Sequence, residues 1–86
     1  MARFLSDMSV IQQAFLEALA AAPKESLSER QLLREVIGPS PTDVVRHSSM
    51  DELNLLASEG FVKRIRLTRE TQWQITNKGL SELASA

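Results

Sequence analysis

At Gly60 the apolar residues of this chain stop repeating at helical spacing and give way to strand-type residues, and that switch limits what the chain can build. Before it, Leu53, Leu56 and Ala57 form an inward helical stripe. Gly60 itself suits a left-handed helix cap. After it, Phe61 to Leu67 bring Phe, Val, Ile and Leu interleaved with basic residues, a composition that favours a strand. The alternation is imperfect, because Ile65 and Leu67 share a side with Phe61 while Val62 falls on the other. A bulge or twist near Lys63 is therefore expected. Thr68 to Thr71 reads as a hairpin tip. Gln72 to Ile75 alternates cleanly, with Trp73 and Ile75 inward and both glutamines outward. Thr76 can cap a last short helix with Leu80 and Leu83 inward. Gly79 near its start costs about 1 kcal/mol relative to alanine, which suggests another reason for a glycine, such as a close backbone approach.

Upstream of the switch, three helical segments are expected. Ile11, Ala14, Phe15, Ala18, Leu19 and Ala22 recur at the spacing of one buried face, with Ser9 as N-cap and Pro23 as the stop. Ser28 and Gln31 form a capping box for the second helix, and Leu27 and Leu32 stand at the hydrophobic-staple positions. Leu32, Leu33, Val36 and Ile37 supply its apolar face. Gly38 and Pro39 end it. Ser40 can then cap a helix with Pro41 at its first position. A second start lies at Ser49, with Glu52 three residues on. Residues 41–59 read as one long helix or as a short turn followed by a helix from about Met50, and the break is the preferred reading. Residues 1–8 read as a tail or short helix, and residues 9–86 as one domain.

The chain has 86 residues and no cysteine, so disulfide staples and thiolate metal sites are excluded and packing must hold the fold. His47 is the lone histidine, and no cofactor or metal motif is present. No stretch reaches the roughly 18 apolar residues of a membrane span. The N-terminus lacks the pattern of a signal peptide, so a cytoplasmic protein is expected. Enzymatic function is not expected. Asp43, His47 and Ser48 are close in sequence, but on a helix His47 and Ser48 point apart, and a triad needs the base against the nucleophile.

The net charge of −1 hides an uneven distribution. Residues 41–60 set Arg46 against Asp43, Asp51, Glu52 and Glu59, whereas residues 61–78 set Lys63, Arg64, Arg66, Arg69 and Lys78 against Glu70. Such a cluster creates a local positive field, or else serves as a solvated strand edge that resists aggregation.

Two patterns carry a resemblance to a known family. One is Leu53-x-x-Leu56-x-x-x-Gly60-Phe61-Val62-x-Arg64, and the other is Trp73-x-Ile75-Thr76-x-x-Gly79-x-x-x-Leu83. In the order helix, helix, helix, hairpin, helix, they resemble the winged helix-turn-helix superfamily, especially MarR-, ArsR- and PadR-type bacterial or phage transcriptional regulators. The resemblance covers about residues 9–84. It departs in the longer stretch between Gly38 and Leu53, in the absence of ArsR-type cysteines and in the absence of long dimerisation helices.

The implied fold class is mainly α with a small β-hairpin. The implied function is a small DNA-binding transcriptional regulator, with the third helix in the major groove and the basic wing on phosphates. Lys63, Arg64, Arg66 and Arg69 are then the phosphate candidates. Arg46, His47, Ser48, Ser49 and Asn54 are the base-edge candidates. Each has an alternative reading: solvated arginines, a surface histidine near Asp43, an exposed asparagine. Double-stranded DNA is the expected partner, with a homodimer formed through Phe4, Leu5, Met8 and part of the last helix. The alternative is a protein-interaction module of the same fold, because fold alone does not decide function.

Overall fold

The computed structural model describes residues 9–84. Four helices and a three-stranded antiparallel sheet take the order α1 (Val10–Ala21), β1 (Ser26–Ser28), α2 (Glu29–Ile37), α3 (Asp43–Ser58), β2 (Val62–Arg66), β3 (Thr71–Ile75) and α4 (Asn77–Ala84). The sheet order is β1-β3-β2. The expected tail at residues 1–8, with the dimer candidates Phe4, Leu5 and Met8, lies outside the described residues. Among the described residues, no helix is long and apolar enough to cross a membrane.

Helix α1 lies at the centre, against α2, α3, α4 and β3. Its N-cap is a complete capping box. Ser9 Oγ accepts from the Gln12 amide, and Gln12 Oε1 accepts from the Ser9 amide, each at 3.2 Å. The buried face is Gln12, Phe15, Leu16 and Leu19, rotated by about one position from the expected stripe. The alanines of that stripe fill less space than Leu16, so the larger side chain turns inward.

Strand β1 is an element that composition does not announce, since Ser-Leu-Ser has no strand character. It forms because the edge of β3 offers unpaired amides and carbonyls, and Leu27 lies opposite Trp73 in the register. The approach to it is a 3-10 turn at Pro23–Glu25 with two left-handed non-glycine residues, Lys24 at φ 61° and Glu25 at φ 58°. Such conformations cost about 1–2 kcal/mol each. Downstream, half of the expected capping box forms: Ser28 Oγ caps α2 by accepting from the Gln31 amide at 3.2 Å, without the reciprocal bond from the Ser28 amide to the Gln31 side chain, and Leu27 and Leu32 both enter the core.

The preferred break in residues 41–59 is overturned. Helix α3 is continuous and starts two residues later than Ser40 would start it. Thr42 is the N-cap, its Oγ1 accepting from the Val45 amide at 3.2 Å. Ser49 does not begin a helix with Glu52 as its capping partner. Glu52 Oε2 instead accepts from Ser9 Oγ at 2.9 Å, which ties α3 to the start of α1. The helix ends as Gly60 requires: Gly60 takes φ 84°, and the Phe61 amide reaches back to the Leu56 carbonyl at 3.0 Å.

No bulge interrupts β2. It pairs with β3 in continuous register from Val62↔Ile75 to Arg66↔Thr71. Phe61 lies before the strand, so its parity does not apply to the pleat. Residues opposite one another share a face. One face therefore carries Val62 with Ile75, Arg64 with Trp73, and Arg66 with Thr71, and its buried members meet the helices. The other carries Lys63 with Gln74 and Ile65 with Gln72. The core gathers Phe15, Leu16, Leu19, Leu32, Leu53, Leu56, Phe61 and Trp73 as its fully or nearly fully enclosed apolar side chains.

Candidate nucleic-acid interface

The hairpin presents the expected basic residues. Lys63, Arg64, Arg66 and Arg69 are all exposed. Among the described residues, none of them forms an ion pair with a carboxylate. Arg69 sits in the turn between the strands, which is closed by the Leu67 amide donating to the Glu70 carbonyl at 2.8 Å. The pleat divides the set. Arg64 and Arg66 share the face of Trp73, with the Arg64 guanidinium carbon 6.0 Å from the indole centroid. Lys63 lies on the opposite face. Arg64 and Arg66 therefore lie on the side of the sheet that faces the helices, and Lys63 on its outer side. Lys78 is engaged elsewhere: its Nζ donates to the Glu59 carbonyl at 2.8 Å and sits 4.9 Å from the Phe61 ring centroid, fastening α4 to the end of α3.

Helix α3 separates the base-edge candidates by its own periodicity. His47, Asp51 and Asn54 stand at i, i+4 and i+7, so they share one exposed face with the aspartate in the middle. His47 Nδ1–H donates to the Asp43 carbonyl at 2.9 Å, which leaves Nε2 outward. It does not pair with the Asp43 carboxylate. Ser48 is exposed on the flank that also carries Leu55. Ser49 is not a base-edge residue: it is 1% exposed, and its hydroxyl is buried without a hydrogen-bond partner. A side chain enclosed on the stripe of Leu53 and Leu56 cannot reach a base edge. Arg46 extends that same stripe beyond the core and so turns toward α2, away from His47 and Asn54.

There Arg46 meets two residues outside the expected site. Arg30 and Arg34 of α2, with Arg46, line an open cleft of about 480 Å³ together with Leu33, Pro39 and Pro41. Glu29 also borders this cleft, and its Oε1 accepts from Trp73 Nε1 at 3.0 Å. A neighbouring cleft joins Arg30 to Arg69 and Glu70 at the hairpin tip. The sequence signal for Arg30 and Arg34 is their i, i+4 spacing on α2, which sets like charges one turn apart. It gains meaning only when α3 brings a third arginine beside them.

No family model and no curated protein matches the chain.

Proposed function

We propose that this domain is a small winged-helix protein that binds duplex DNA and regulates transcription, with the hairpin on backbone phosphates and α3 beside it. The observation that carries the reading is the exposed set Arg64, Arg66 and Arg69, free of carboxylate partners among the described residues, with Arg64 and Arg66 on one face of the hairpin and Arg69 in its turn. Unpaired guanidinium groups gain most from phosphate, because no existing ion pair must break. The succession of three helices, hairpin and helix supports the winged-helix assignment. Helix α3 feeds directly into β2, so the hairpin and the helix end stay in fixed relation.

Fluorescence anisotropy with a labelled duplex across a salt series tests the proposal. Three phosphate contacts predict that log affinity falls with log salt at a slope of about −3. The double variant Arg64→Ala/Arg66→Ala is expected to reduce that slope to about −1. Asp51→Asn is expected to raise affinity about threefold if the outer face of α3 meets DNA, since it removes one negative charge near the phosphates. Undetectable binding at low ionic strength, or a slope unchanged in the double variant, would remove the reading.

A second reading has its own observation. The outer surface of α3 carries Asp51, with Val44 78% and Leu55 39% exposed. Such a mixed acidic and apolar face suits a protein surface better than a phosphate backbone. An Asp51→Asn variant with unchanged duplex affinity would turn α3 away from DNA and toward a protein partner.

A further inference from the structure

We propose that the cleft between α2 and the start of α3 is an oxyanion site that takes a phosphate group on Arg30, Arg34 and Arg46. The cleft itself supports this, independently of the duplex reading. Its volume of about 480 Å³ falls in the range of small-ligand sites, about 300–1,000 Å³. Three arginines line it against one carboxylate, Glu29. That carboxylate already accepts a hydrogen bond from the buried Trp73 indole, and among the described residues it forms no ion pair with the arginines. Arg30 and Arg34 stand one turn apart, where like charges destabilise a helix by about 0.2–0.5 kcal/mol. Arg46 adds a third cation from another element. An anion in their midst converts this repulsion into attraction.

The donor set selects the anion. A guanidinium offers a planar fork of donors and keeps its charge at every physiological pH. Three of them match a group with three or four acceptor oxygens and as many as two negative charges. Phosphate and its esters meet that description, whereas a carboxylate offers two oxygens and one charge. The opposite wall is stiff. Gly38 turns the chain at φ 93°, and the rings of Pro39 and Pro41 restrict the backbone leading into α3. A cleft with one rigid wall loses little entropy on binding. Leu33 adds an apolar patch for a carbon skeleton carrying the phosphate.

The phosphate has two physical sources. It can belong to a free phosphorylated molecule seated in the cleft. It can also belong to a nucleic-acid backbone, because Arg30 is shared with the adjoining cleft that holds Arg69 of the hairpin tip. The experiment tracks the arginine side-chain Nε–Hε signals of the full chain by NMR while adding pyrophosphate in one arm and a short duplex in the other. Saturable shifts of Arg30, Arg34 and Arg46 with pyrophosphate are expected. Arg34→Gln should weaken that binding about tenfold or more, the loss of one charge-assisted contact. Arg34→Lys should restore part of it, because charge returns without the fork. The backbone amide spectrum verifies that these variants stay folded.

Pyrophosphate binding with an inert duplex establishes a free phosphorylated ligand and removes the DNA reading alone. Shifts of the three cleft signals with duplex, whether or not pyrophosphate acts, assign the phosphate to the backbone as well or instead. A duplex that moves only Arg64, Arg66 and Arg69, with pyrophosphate inert, retains the DNA reading and overturns the cleft. Cleft signals unmoved in both arms, or pyrophosphate affinity equal in Arg34→Gln, also overturn it.

Discussion

Gly79→Ala is expected to destabilise the domain by about 2–3 kcal/mol, even after a helix-propensity gain of about 1 kcal/mol for the alanine. A Cβ built on Gly79 falls 2.3 Å from the Phe61 carbonyl oxygen and 2.7 Å from Ile75 Cγ1. The oxygen cannot yield cheaply. It already accepts from the Thr76 amide and from Thr76 Oγ1, both at 3.0 Å. The same Thr76 Oγ1 accepts from the Gly79 amide at 3.1 Å as the cap of α4. Pushing α4 outward therefore strains the cap, the end of β3 and the chain entering β2 together. For a domain of this size the thermal midpoint should fall by roughly 10–20 °C. Gly60→Ala separates space from backbone strain. Gly60 has φ 84°, but its added Cβ meets only the Lys78 side chain at 3.7 Å. Its cost should be about 1–2 kcal/mol, from the left-handed conformation alone. Thermal unfolding monitored by circular dichroism compares the two. A Gly79→Ala loss smaller than that of Gly60→Ala would show that α4 slides aside freely.

The close approach at Gly79 was legible because a glycine at the start of a helix has no propensity reason to be there. The caps at Ser9, Ser28, Gly38 and Gly60 were legible for the same kind of reason: each is a local exchange between one side chain or one dihedral and nearby amides. Strand β1 was not, because Ser26 and Ser28 have no intrinsic preference for extension, and the strand exists only where β3 offers its edge. The continuity of α3 was hidden by a local signal that lost to a distant one. Ser49 and Glu52 have capping-box spacing, but Glu52 is claimed by Ser9, 43 residues away. The charged surface was half legible. Composition located the basic hairpin, yet the division of Lys63 from Arg64 and Arg66 needed the register, and the meeting of Arg46 with Arg30 and Arg34 needed the packing of α2 beside α3. The position of Asp51 between His47 and Asn54, an acid on the face that was to read bases, needed the continuity of α3.

Trp73→Ala is expected to be the most damaging single change, at about 3–5 kcal/mol. The indole is fully enclosed, and it sits on the central strand with Leu27 on one side and Arg64 on the other. Removing it opens a void between sheet and helices and takes away the partner that β1 packs against. Against a total stability of about 5–15 kcal/mol for a domain, such a loss leaves a partly unfolded population, readable as a lowered denaturant midpoint. A loss under about 1 kcal/mol would show that the indole contributes no core packing. Trp73→Phe divides packing from hydrogen bonding. It retains most of the ring volume but deletes the 3.0 Å donation from Nε1 to Glu29. The Glu29 carboxylate then stands without its donor at the border of the arginine cleft, where it can turn to Arg30 or Arg34 and compete with an incoming anion. Pyrophosphate affinity should fall in Trp73→Phe while the fold holds, and Trp73→Phe/Glu29→Gln should recover it. Recovery would show that the sheet's central tryptophan keeps the cleft positive by occupying its one carboxylate. Equal affinity in all three proteins would show that Glu29 stays fixed by other means.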